Sequence, residues 1–414
     1  MKSGKIYVQI ASYRDNQLVE TIKDCIKNSG KPENLVFGIA WQHAREDTWD
    51  TLDEFKDDPR FRIIDIDYRD SRGVCWARNK VQQCYDMEEY TLMLDSHHRF
   101  VSGWDLELVA MMKDLRDGGR EKPLLTAYLP SYDPLNDPLG RVLRPWKINF
   151  DRFTPEGVLL FFPEIIEESF SAPIPSRFIS AHFCFTLGIF CKEVEYDPNY
   201  YFHGEEISIT VRAFTAGYDL FTLHKLIAWH EYTRAHRKKH WDDCVIWPEM
   251  NVGSFERLRK LLGVDATVND IDFGNYGLGS VRSLSDYEKY AGVCFSGRGV
   301  QQYTLDNKLP PNPIIGEPFI NVFKDCLNIH KSQLQYSDYK FLAVIFEDRE
   351  GKVIFRQDVC DEELRKLLGE RDQFYKIWRT FVYGERPYRF IVWPFSEKHG
   401  WCERIEEVIY KHIV

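Results

Sequence analysis

Apolar and polar positions alternate along the first two thirds of the chain in blocks that predict strands separated by helices. Residues 5–12 form a mostly apolar run, and apolar side chains in residues 16–27 recur with the period of a helix. Further strands are predicted at Leu35–Trp41, Phe61–Tyr68 and Tyr90–Leu94, and a further helix at Cys75–Tyr85. Strands that alternate with helices pair in parallel, so the pattern predicts an α/β domain with a mostly parallel sheet.

Two polar segments directly follow predicted strands. Ser12–Asp15 comes after the first strand, and Asp95–Arg99 comes after the strand that ends at Leu94. Because ligands of open α/β sheets bind at the carboxyl ends of the strands, we expect these segments to border a binding site.

The later part of the chain predicts a proline-rich region, a second αβ block and a small separate domain. Prolines recur through residues 130–175, and Gly204 opens a helix that runs to Ala216. Beyond residue 319, strands are predicted at Phe341–Phe346, Lys352–Phe355 and Tyr388–Trp393, and helices at Glu362–Leu368 and from Trp401. We predict a catalytic domain over residues 1–300 with its core at 5–240, a linker at 301–317, and an accessory α+β domain at 318–414.

Composition and charge exclude several classes of function. The 414 residues carry a formal net charge of −10, which disfavours a nucleic-acid partner. The ten cysteines include no CxxC pair, and no apolar stretch reaches the ~18 residues of a membrane helix. The sequence therefore predicts a cytoplasmic protein without a signal peptide or membrane insertion. The 61 aromatic residues are mostly core, and some are expected to line a site for ring-shaped ligands.

A metal site is indicated where the strand Tyr90–Leu94 ends. Asp95 and His97 are two residues apart and offer an oxygen and a nitrogen ligand that suit manganese, and His230 follows another short apolar strand. Solvated loop residues are the alternative for an isolated Asp-x-His. His98 leaves the choice of ligand open, although the alternation of side chains favours Asp95 and His97 on one side.

Three further groups of charged residues are candidates for the same site. The cationic run that includes Arg234, Arg237 and Lys238 is suited to a phosphate, with solvated surface as the alternative. Glu205 and Glu206 complement a helix dipole or accept hydrogen bonds from sugar hydroxyls. Two arginines, Arg72 and Arg78, pair with surface acids or face the phosphates, and the sequence favours neither reading.

An ordered set of motifs resembles a known family, the cytosolic N-acetylglucosaminyltransferases that act on protein hydroxyproline. More remotely, the chain is similar to the polypeptide N-acetylgalactosaminyltransferases. The resemblance covers about residues 5–239. The motifs that carry it are Ser12-Tyr13-Arg14-Asp15, Arg72 to Arg78, Leu94-Asp95-Ser96-His97, Ser180-Ala181-His182-Phe183, Tyr196-Asp197-Pro198, Phe202 to Glu206 and Trp229-His230-Glu231-Tyr232.

The resemblance implies a GT-A glycosyltransferase that moves a sugar from a UDP-sugar, with N-acetylglucosamine as the donated sugar and retention at the anomeric carbon. It implies a divalent cation, Mn²⁺ or alternatively Mg²⁺, on Asp95, His97 and His230. Glu205 or Glu206 would orient the sugar or the acceptor, and attack on the front face is favoured over Glu206 as a nucleophile. The implied donor-binding residues are Ser12, Arg14, Asp15, Arg72, Arg78, Asp95, Trp229, Arg234, Arg237 and Lys238.

The acceptor and the partners are left open by the resemblance. A protein hydroxyl on hydroxyproline, Ser or Thr is the first expectation, and a glycan or a small molecule is the second. A non-catalytic carbohydrate-binding or nucleotide-sugar-binding module is a further alternative. A metal-dependent hydrolase or nucleotidyltransferase is less favoured, since such sites use several carboxylates around Mg²⁺. The C-terminal domain is a candidate for acceptor binding or for association into a homo-oligomer.

Overall fold

The computed structural model describes residues 2–49, 51–233, 237–264, 271–313 and 316–409. The chain divides into two compact units. Unit 1 comprises Met1–Phe150, Phe161–Gly292 and Tyr303–Ile315, and unit 2 comprises Asp151–Leu160, Val293–Gln302 and Gly316–Val414. Unit 2 thus includes short segments from two earlier parts of the chain, whereas the sequence predicts a catalytic domain, a linker and an accessory domain that follow one another along the chain.

Unit 1 is built around the predicted α/β sheet. Its strands are β1 (Lys2–Tyr13), β2 (Leu35–His43), β3 (Phe61–Asp67), β4 (Glu88–Leu94), β5 (His98–Phe100), β6 (Pro123–Thr126), β7 (Trp146–Phe153, which ends in unit 2), β8 (Leu159–Ile165, which begins in unit 2), β9 (Ile174–Pro175), β10 (Phe183–Leu187), β11 (Asp219–Thr222) and β12 (Ala228–His230). The helices are α1 (Leu18–Asn28), α2 (Val74–Gln83), α3 (Trp104–Asp117), α4 (Phe190–Glu193), α5 (Glu205–Thr215), α6 (His240–Asp243), α7 (Trp247–Leu261) and α8 (Leu284–Ala291).

The main sheet has the order β3-β2-β1-β4-β10-β6-β11-β9. The pairs β3–β2, β2–β1, β1–β4 and β6–β11 are parallel, and β10 runs antiparallel between β4 and β6. The prediction of a mostly parallel sheet is therefore confirmed. Since Ile10 pairs with Leu94, β1 and β4 end at the same edge, and both polar segments leave the sheet there.

Helix packing follows the apolar stripes of the sequence. Leu18, Ile22 and Cys25 form the buried side of α1, as the helical period predicts. Trp104, at the start of α3, is fully buried and donates its indole N–H to the Cys25 carbonyl at 2.9 Å. Such contacts fix the helices against the sheet face. In the described residues, we find no helix whose length and apolar character would let it cross a membrane.

Unit 2 is mostly antiparallel sheet. Its strands are β13 (Val293–Cys294), β14 (Gly299–Val300), β15 (Ile320–His330), β16 (Tyr339–Glu347), β17 (Val353–Arg356), β18 (Val359–Cys360), β19 (Phe374–Tyr383), β20 (Arg389–Ser396), β21 (Gly400–Trp401) and β22 (Ile405–Val408). One sheet has the order β13-β14-β15-β19, and the other is built around β16 and β20. Two helices follow residue 300, α9 (Gln302–Leu305), which crosses from unit 2 into unit 1, and α10 (Asp361–Gly369) in unit 2.

The sequence prediction of a terminal helix from Trp401 is wrong. Gly400–Trp401 and Ile405–Val408 are short strands that pair antiparallel with β20. The segment contains Glu and Arg residues that favour a helix, but β20 offers a sheet edge whose ladder outweighs that local preference. The other predicted elements of this unit, at 341–346, 352–355, 362–368 and 388–393, are confirmed within a few residues.

Candidate active site

Two short antiparallel strands bring distant residues of the candidate metal site together. The chain leaves β4 at Leu94, turns through Asp95–His97 and enters β5, which pairs with β12. In this pairing His98 lies opposite His230. The third predicted ligand is therefore carried to the turn after β4 by backbone hydrogen bonds, although it lies 135 residues after Asp95.

Asp95, His97 and His230 form a cluster that could hold a cation. The Oδ2 atom of Asp95 lies 3.3 Å from Nε2 of His230 and 3.7 Å from Nε2 of His97. One ligand atom from each of the three residues lies within 4.8 Å of the others. A carboxylate and two imidazoles are a donor set that suits Mn²⁺ and other first-row divalent ions. His98 is not part of this cluster, and its Nδ1 lies 3.0 Å from the Asp95 carbonyl.

Asp15 contacts the ring nitrogen of His97 that does not face Asp95. Its Oδ2 lies 2.8 Å from Nδ1 of His97, and it also accepts the hydroxyl of Ser96 at 2.7 Å. A carboxylate on one ring nitrogen of a metal-binding histidine orients the ring and favours the tautomer whose other nitrogen is free to ligate. The donors present therefore fit a divalent cation. Asp15 was predicted to bind the nucleotide, whereas its buried side chain is directed at His97.

The protonation states of the cluster also suit cation binding. Burial lowers the pKa of His230 well below its ordinary value, so this ring is neutral near pH 7. Burial opposes ionisation of Asp95, but its contacts with His230 and Arg78 hold the pKa of that carboxyl well below its usual range. Neutral imidazole and ionised carboxylate are the forms that bind metals. His182 stacks on the His230 ring with 4.2 Å between centroids, and Tyr232 meets its other side at 4.3 Å.

Arg78 joins the metal cluster to the start of α5. Its guanidinium donates to Oδ1 of Asp95 at 2.6 Å, and its Nε lies 3.1 Å from Oε1 of Glu205. It also donates to the Ala181 carbonyl. Arg78 is 4% exposed, so it does not pair with acids at the surface, and its contact with a phosphate stays a prediction.

Glu205 and Glu206 lie at the first turn of α5, as predicted, and both are buried from solvent. Burial raises the pKa of Glu205 to about 7 and also raises the pKa of Glu206. Glu206 accepts hydrogen bonds from the Tyr128 hydroxyl at 2.9 Å and the Ala181 amide at 3.0 Å. Neither carboxylate is among the residues that line the cavity beside the metal cluster. A direct catalytic role for either residue stays a prediction.

An open cavity of about 140 Å³ begins at Asp95 and His97 and follows the carboxyl ends of the strands. Five of the predicted site residues form part of its wall: Asp15, Asp95, His97, Arg237 and Lys238. The other lining residues are Ala11, Tyr13, Gln42, Ser71, Gly73, Val74, Ser96, Tyr201, Phe202, Lys239, His240 and Trp241.

Arg237 reaches into the cavity wall from the segment after β12. Its guanidinium contacts Oδ2 of Asp15 at 3.0 Å, Oε2 of Glu231 at 3.1 Å and the His97 ring. Two acidic partners therefore hold this cation beside the candidate metal ligands. Arg234, the other predicted phosphate-binding arginine, lies outside the described residues.

Among the described residues, five that were predicted to bind the donor do not line the cavity, namely Arg78 and the four that follow. Ser12 is fully buried, and Arg72 is exposed. Arg14 is held by Asp47 at 2.6 Å and Asp243 at 3.0 Å. Trp229 donates to the Val142 carbonyl at 2.8 Å from a buried position. Their contact with a nucleotide stays a prediction.

Sequence reasoning missed several residues of the cavity wall. Gln42, at the carboxyl end of β2, donates to the Ser12 carbonyl at 2.9 Å and accepts the Ser71 hydroxyl at 2.5 Å. Its place at a strand end next to β1 is a signal that could have found it. Tyr201 contacts Nδ1 of His240 at 2.8 Å, and no local pattern distinguishes it from a core aromatic.

The comparisons with known proteins give a family. The family model described as Glycosyltransferase (GlcNAc) matches residues 5–60 and 52–296, which is more than half of the chain. No curated protein sequence matches this chain.

The comparison with solved structures found matches at low sequence identity. The crystal structure of GalNAc-T7 with UDP, GalNAc and Mn²⁺ is 13% identical, with a TM-score of 0.52 over 98% of this chain and 72% of the other. The crystal structure of TarS from S. aureus is 11% identical, with a TM-score of 0.39 over 98% of this chain and 85% of the other. For TarS 1–349 in complex with UDP-GlcNAc, the values are 12% identity and a TM-score of 0.41, over 64% of this chain and 68% of the other.

Proposed function

The chain belongs to the GlcNAc glycosyltransferase family, and we propose that it transfers N-acetylglucosamine from UDP-GlcNAc to an acceptor hydroxyl with the help of a divalent cation. The observation that carries this proposal is the cluster of Asp95, His97 and His230, of which Asp95 and His97 line a cavity at the strand ends. GalNAc-T7, whose fold is similar, was crystallised with UDP, GalNAc and Mn²⁺.

Mn²⁺ is the proposed cation, and Mg²⁺ is the alternative. Bound to this cluster, the cation would offset negative charge on the UDP leaving group. Arg237 and Lys238 lie in the same cavity wall and are proposed to contact the diphosphate. We assign the nucleotide to this cavity because it combines these cations with the aromatic walls of Tyr13, Tyr201 and Trp241.

Retention of the anomeric configuration is part of the proposal, with attack on the front face of the sugar. Of the described residues that line the cavity, Asp15 and Asp95 carry carboxylates. Asp15 is paired with His97 and Arg237, and Asp95 is paired with Arg78 and faces His230. This pairing supports a mechanism without an enzymic nucleophile, since each carboxylate already has a structural role.

The proposed acceptor is a protein hydroxyl on hydroxyproline, Ser or Thr, and a glycan or small molecule is the alternative. All ten cysteines are free thiols, which supports a reducing location such as the cytoplasm. Association into a homo-oligomer through residues 318–414 stays a prediction.

Calorimetry of UDP binding with and without Mn²⁺ tests the metal site. We expect Mn²⁺ to raise the affinity of the wild-type protein for UDP, and Asp95→Asn and His230→Ala to remove that gain. His224→Ala is the matched control, because His224 lies in the same unit but outside the cluster. A gain that survives in both cluster variants would refute the metal assignment.

A donor screen tests the reaction itself. The protein is incubated with Mn²⁺ and UDP-GlcNAc, UDP-GalNAc, UDP-glucose or UDP-galactose, and the products are separated. Free UDP and a glycosylated acceptor are the expected products, with UDP-GlcNAc preferred, and the anomeric coupling in the NMR spectrum reports retention. UMP with a sugar phosphate would instead identify a hydrolase.

A further inference from the structure

A closed loop stands beside the metal ligand His230. The loop runs from Ser131 to Val142, and its ends are joined by the Val142 amide, which donates to the Ser131 carbonyl at 2.9 Å. The amide of Tyr132 donates to the His230 carbonyl at 3.3 Å, and the His230 amide donates to the Pro130 carbonyl at 3.0 Å. Backbone hydrogen bonds therefore join the start of this loop to β12, the strand that carries His230.

The loop is held in shape by its own polar groups. Asp133 accepts the Leu135 amide at 3.0 Å, and Asp137 takes two hydrogen bonds from Arg141, at 2.5 and 2.9 Å. The Arg141 guanidinium also lies 4.3 Å from the centroid of the Trp229 ring. A loop fixed in this way can present its outer side chains at constant positions.

Those outer side chains are leucines. Leu135 is 80% exposed, Leu139 is 87% exposed and Leu143, just past the loop, is 73% exposed. Isolated apolar residues are common on protein surfaces, but three large ones on one short fixed segment are a feature of binding surfaces.

The leucine segment leads toward the metal site through two aromatic rings. Trp146 follows Leu143 by three residues, and its ring lies 6.2 Å from the ring of Tyr232. Tyr232 is 38% exposed and packs against His230 at 4.3 Å between centroids. We name these five residues, Leu135, Leu139, Leu143, Trp146 and Tyr232, the acceptor ridge.

The charged residues beside the acceptor ridge argue against an anionic lipid as its ligand. Arg141 is paired with Asp137, and Arg144 is paired with Glu167. A surface that binds anionic lipid presents unpaired Lys or Arg residues, which these pairs do not supply. A neutral apolar surface that ends beside the proposed site of sugar transfer is suited to the substrate that must approach this site.

We propose that the acceptor ridge binds an apolar segment of a polypeptide acceptor and so places a nearby hydroxyl at the metal site. This inference rests on the proposed function, because it assigns the substrate class of the same site. Apolar anchors that lie in line with the reacting centre would add affinity for an extended polypeptide, and a small acceptor would not benefit from them.

The test uses two fluorescent peptides of about 15 residues, each with one central Thr, and a matched pair with hydroxyproline. In one peptide of each pair the flanking residues are Leu and Val, and in the other they are Asn and Ser. Anisotropy is measured with the full-length protein in the presence of UDP and Mn²⁺. We expect the apolar peptides to bind at least about tenfold more tightly. Equal affinity for the apolar and polar peptides would overturn the proposal.

The variant for this test is Leu135→Ser with Leu139→Ser and Leu143→Ser, and the matched control is Val252→Ser with Val281→Ser and Val353→Ser, which also replaces exposed apolar residues. The ridge variant should lose most of the preference for apolar peptides, and the control should keep it. Mn²⁺-dependent UDP binding should be unchanged in both, since none of these side chains lines the cavity.

Two further measurements identify other occupants of the acceptor ridge. The first measurement is co-sedimentation with phosphatidylcholine vesicles, and the second is self-association in sedimentation velocity. If the wild type shows either one, the ridge variant loses it, and the wild type does not bind the apolar peptides, the surface is assigned to lipid or to a second copy. That result would overturn the proposal. Failure of the proposed function would appear separately, as a wild-type protein whose UDP binding does not respond to Mn²⁺.

Discussion

The Nδ1 atom of His97 lies 2.8 Å from Oδ2 of Asp15, although the two residues are 82 positions apart in the chain. Asp15 follows β1 and His97 follows β4, and these strands are parallel neighbours in the sheet. The carboxylate thus contacts one nitrogen of the His97 ring, and the other nitrogen, Nε2, lies 3.7 Å from Oδ2 of Asp95. Asp15 and His97 are close together because β1 and β4 are neighbours in the sheet.

Replacing the supporting carboxylate should weaken metal binding while all three ligands remain. We expect Asp15→Asn to reduce Mn²⁺ affinity by about 10- to 100-fold, because the neutral amide orients the His97 ring less strongly. Titration calorimetry with Mn²⁺ measures the change.

Asp65→Asn is the matched control for this prediction. Asp65 makes a similar contact, 2.9 Å from Nε2 of His43, but on a histidine outside the metal cluster. The control should bind Mn²⁺ like the wild type. Equal Mn²⁺ affinity in both variants would show that the contact between Asp15 and His97 does not support the metal site.

The strand-end pattern predicted the edge of the sheet correctly because it depends on local sequence alone. Ser12–Asp15 and Asp95 come directly after apolar runs, and parallel pairing brings such ends together. The pairing of β5 with β12, which carries His230 to the site, depends on a contact between residues far apart in sequence. The place of His230 after a short apolar strand made it a candidate ligand, and the family resemblance implied the same, but neither predicts that β5 and β12 pair.

The roles of charged residues were harder to predict from the sequence. Arg78 and Arg72 are six residues apart and look alike in sequence, yet Arg78 is buried against Asp95 and Arg72 is exposed. Arg78 is on the buried side of α2, whereas Arg72 precedes the helix. Residue type and spacing therefore indicated the chemistry of the site, but tertiary packing determines which charged residues are buried beside it and which are exposed.

Gly73 allows the chain to enter α2 beside the cavity. Its φ is +101°, a backbone conformation that favours glycine. A Cβ at this position would lie 2.9 Å from a Tyr201 ring carbon and 3.0 Å from the Tyr201 carbonyl oxygen. We expect Gly73→Ala to lower the free energy of unfolding by about 1–3 kcal/mol and, by displacing Tyr201 from the cavity wall, to weaken UDP binding about tenfold.

Gly103→Ala separates these two effects. Gly103 also precedes a helix with a positive φ, +72°, but an added Cβ would meet no atom within 4 Å. Urea denaturation should show a loss of stability in both variants, and calorimetry should show weaker UDP binding in Gly73→Ala alone. If UDP binding is equally affected in the two variants, contact with Tyr201 is not the cause.

Stability should depend on pH through Glu205. Burial raises the pKa of this carboxyl from about 4.5 to about 7, so between these values the unfolded chain releases a proton that the folded protein keeps. The free energy of unfolding then falls as the pH rises, by up to about 3 kcal/mol. The stabilising contribution is fully present below pH 4.5 and is lost as the pH passes through 7.

Glu205→Gln should remove this part of the pH dependence. Urea denaturation of both proteins, without metal, at several pH values between 5 and 8 measures the difference in their free energies of unfolding. We expect that difference to move in favour of the variant as the pH rises and then to level off. Glu20→Gln, on the exposed side of α1, controls for the loss of a carboxylate. Parallel pH profiles for Glu205→Gln and the wild type would contradict the assignment.

Arg78 connects three parts of unit 1 that are separate in sequence. It donates to Oδ1 of Asp95 at 2.6 Å, lies 3.1 Å from Glu205 and donates to the Ala181 carbonyl. Because Arg78 occupies Oδ1, the Oδ2 atom of Asp95 is left to face His97 and His230. The guanidinium thereby selects which oxygen of Asp95 is presented to a cation.

Arg78→Lys should therefore impair metal binding more than it impairs folding. A single ammonium group cannot reproduce the fixed fork of a guanidinium, so Asp95 loses its orientation, and we expect about a tenfold loss of Mn²⁺ affinity by calorimetry. Arg177→Lys is the matched control, because Arg177 is also buried and donates to Ala291, Lys308 and Asn312 away from the metal cluster. Both variants should lose stability in urea denaturation, since each leaves buried acceptors without a donor. A loss of Mn²⁺ affinity that is equal in the two variants would mean that general destabilisation, and not the orientation of Asp95, is responsible.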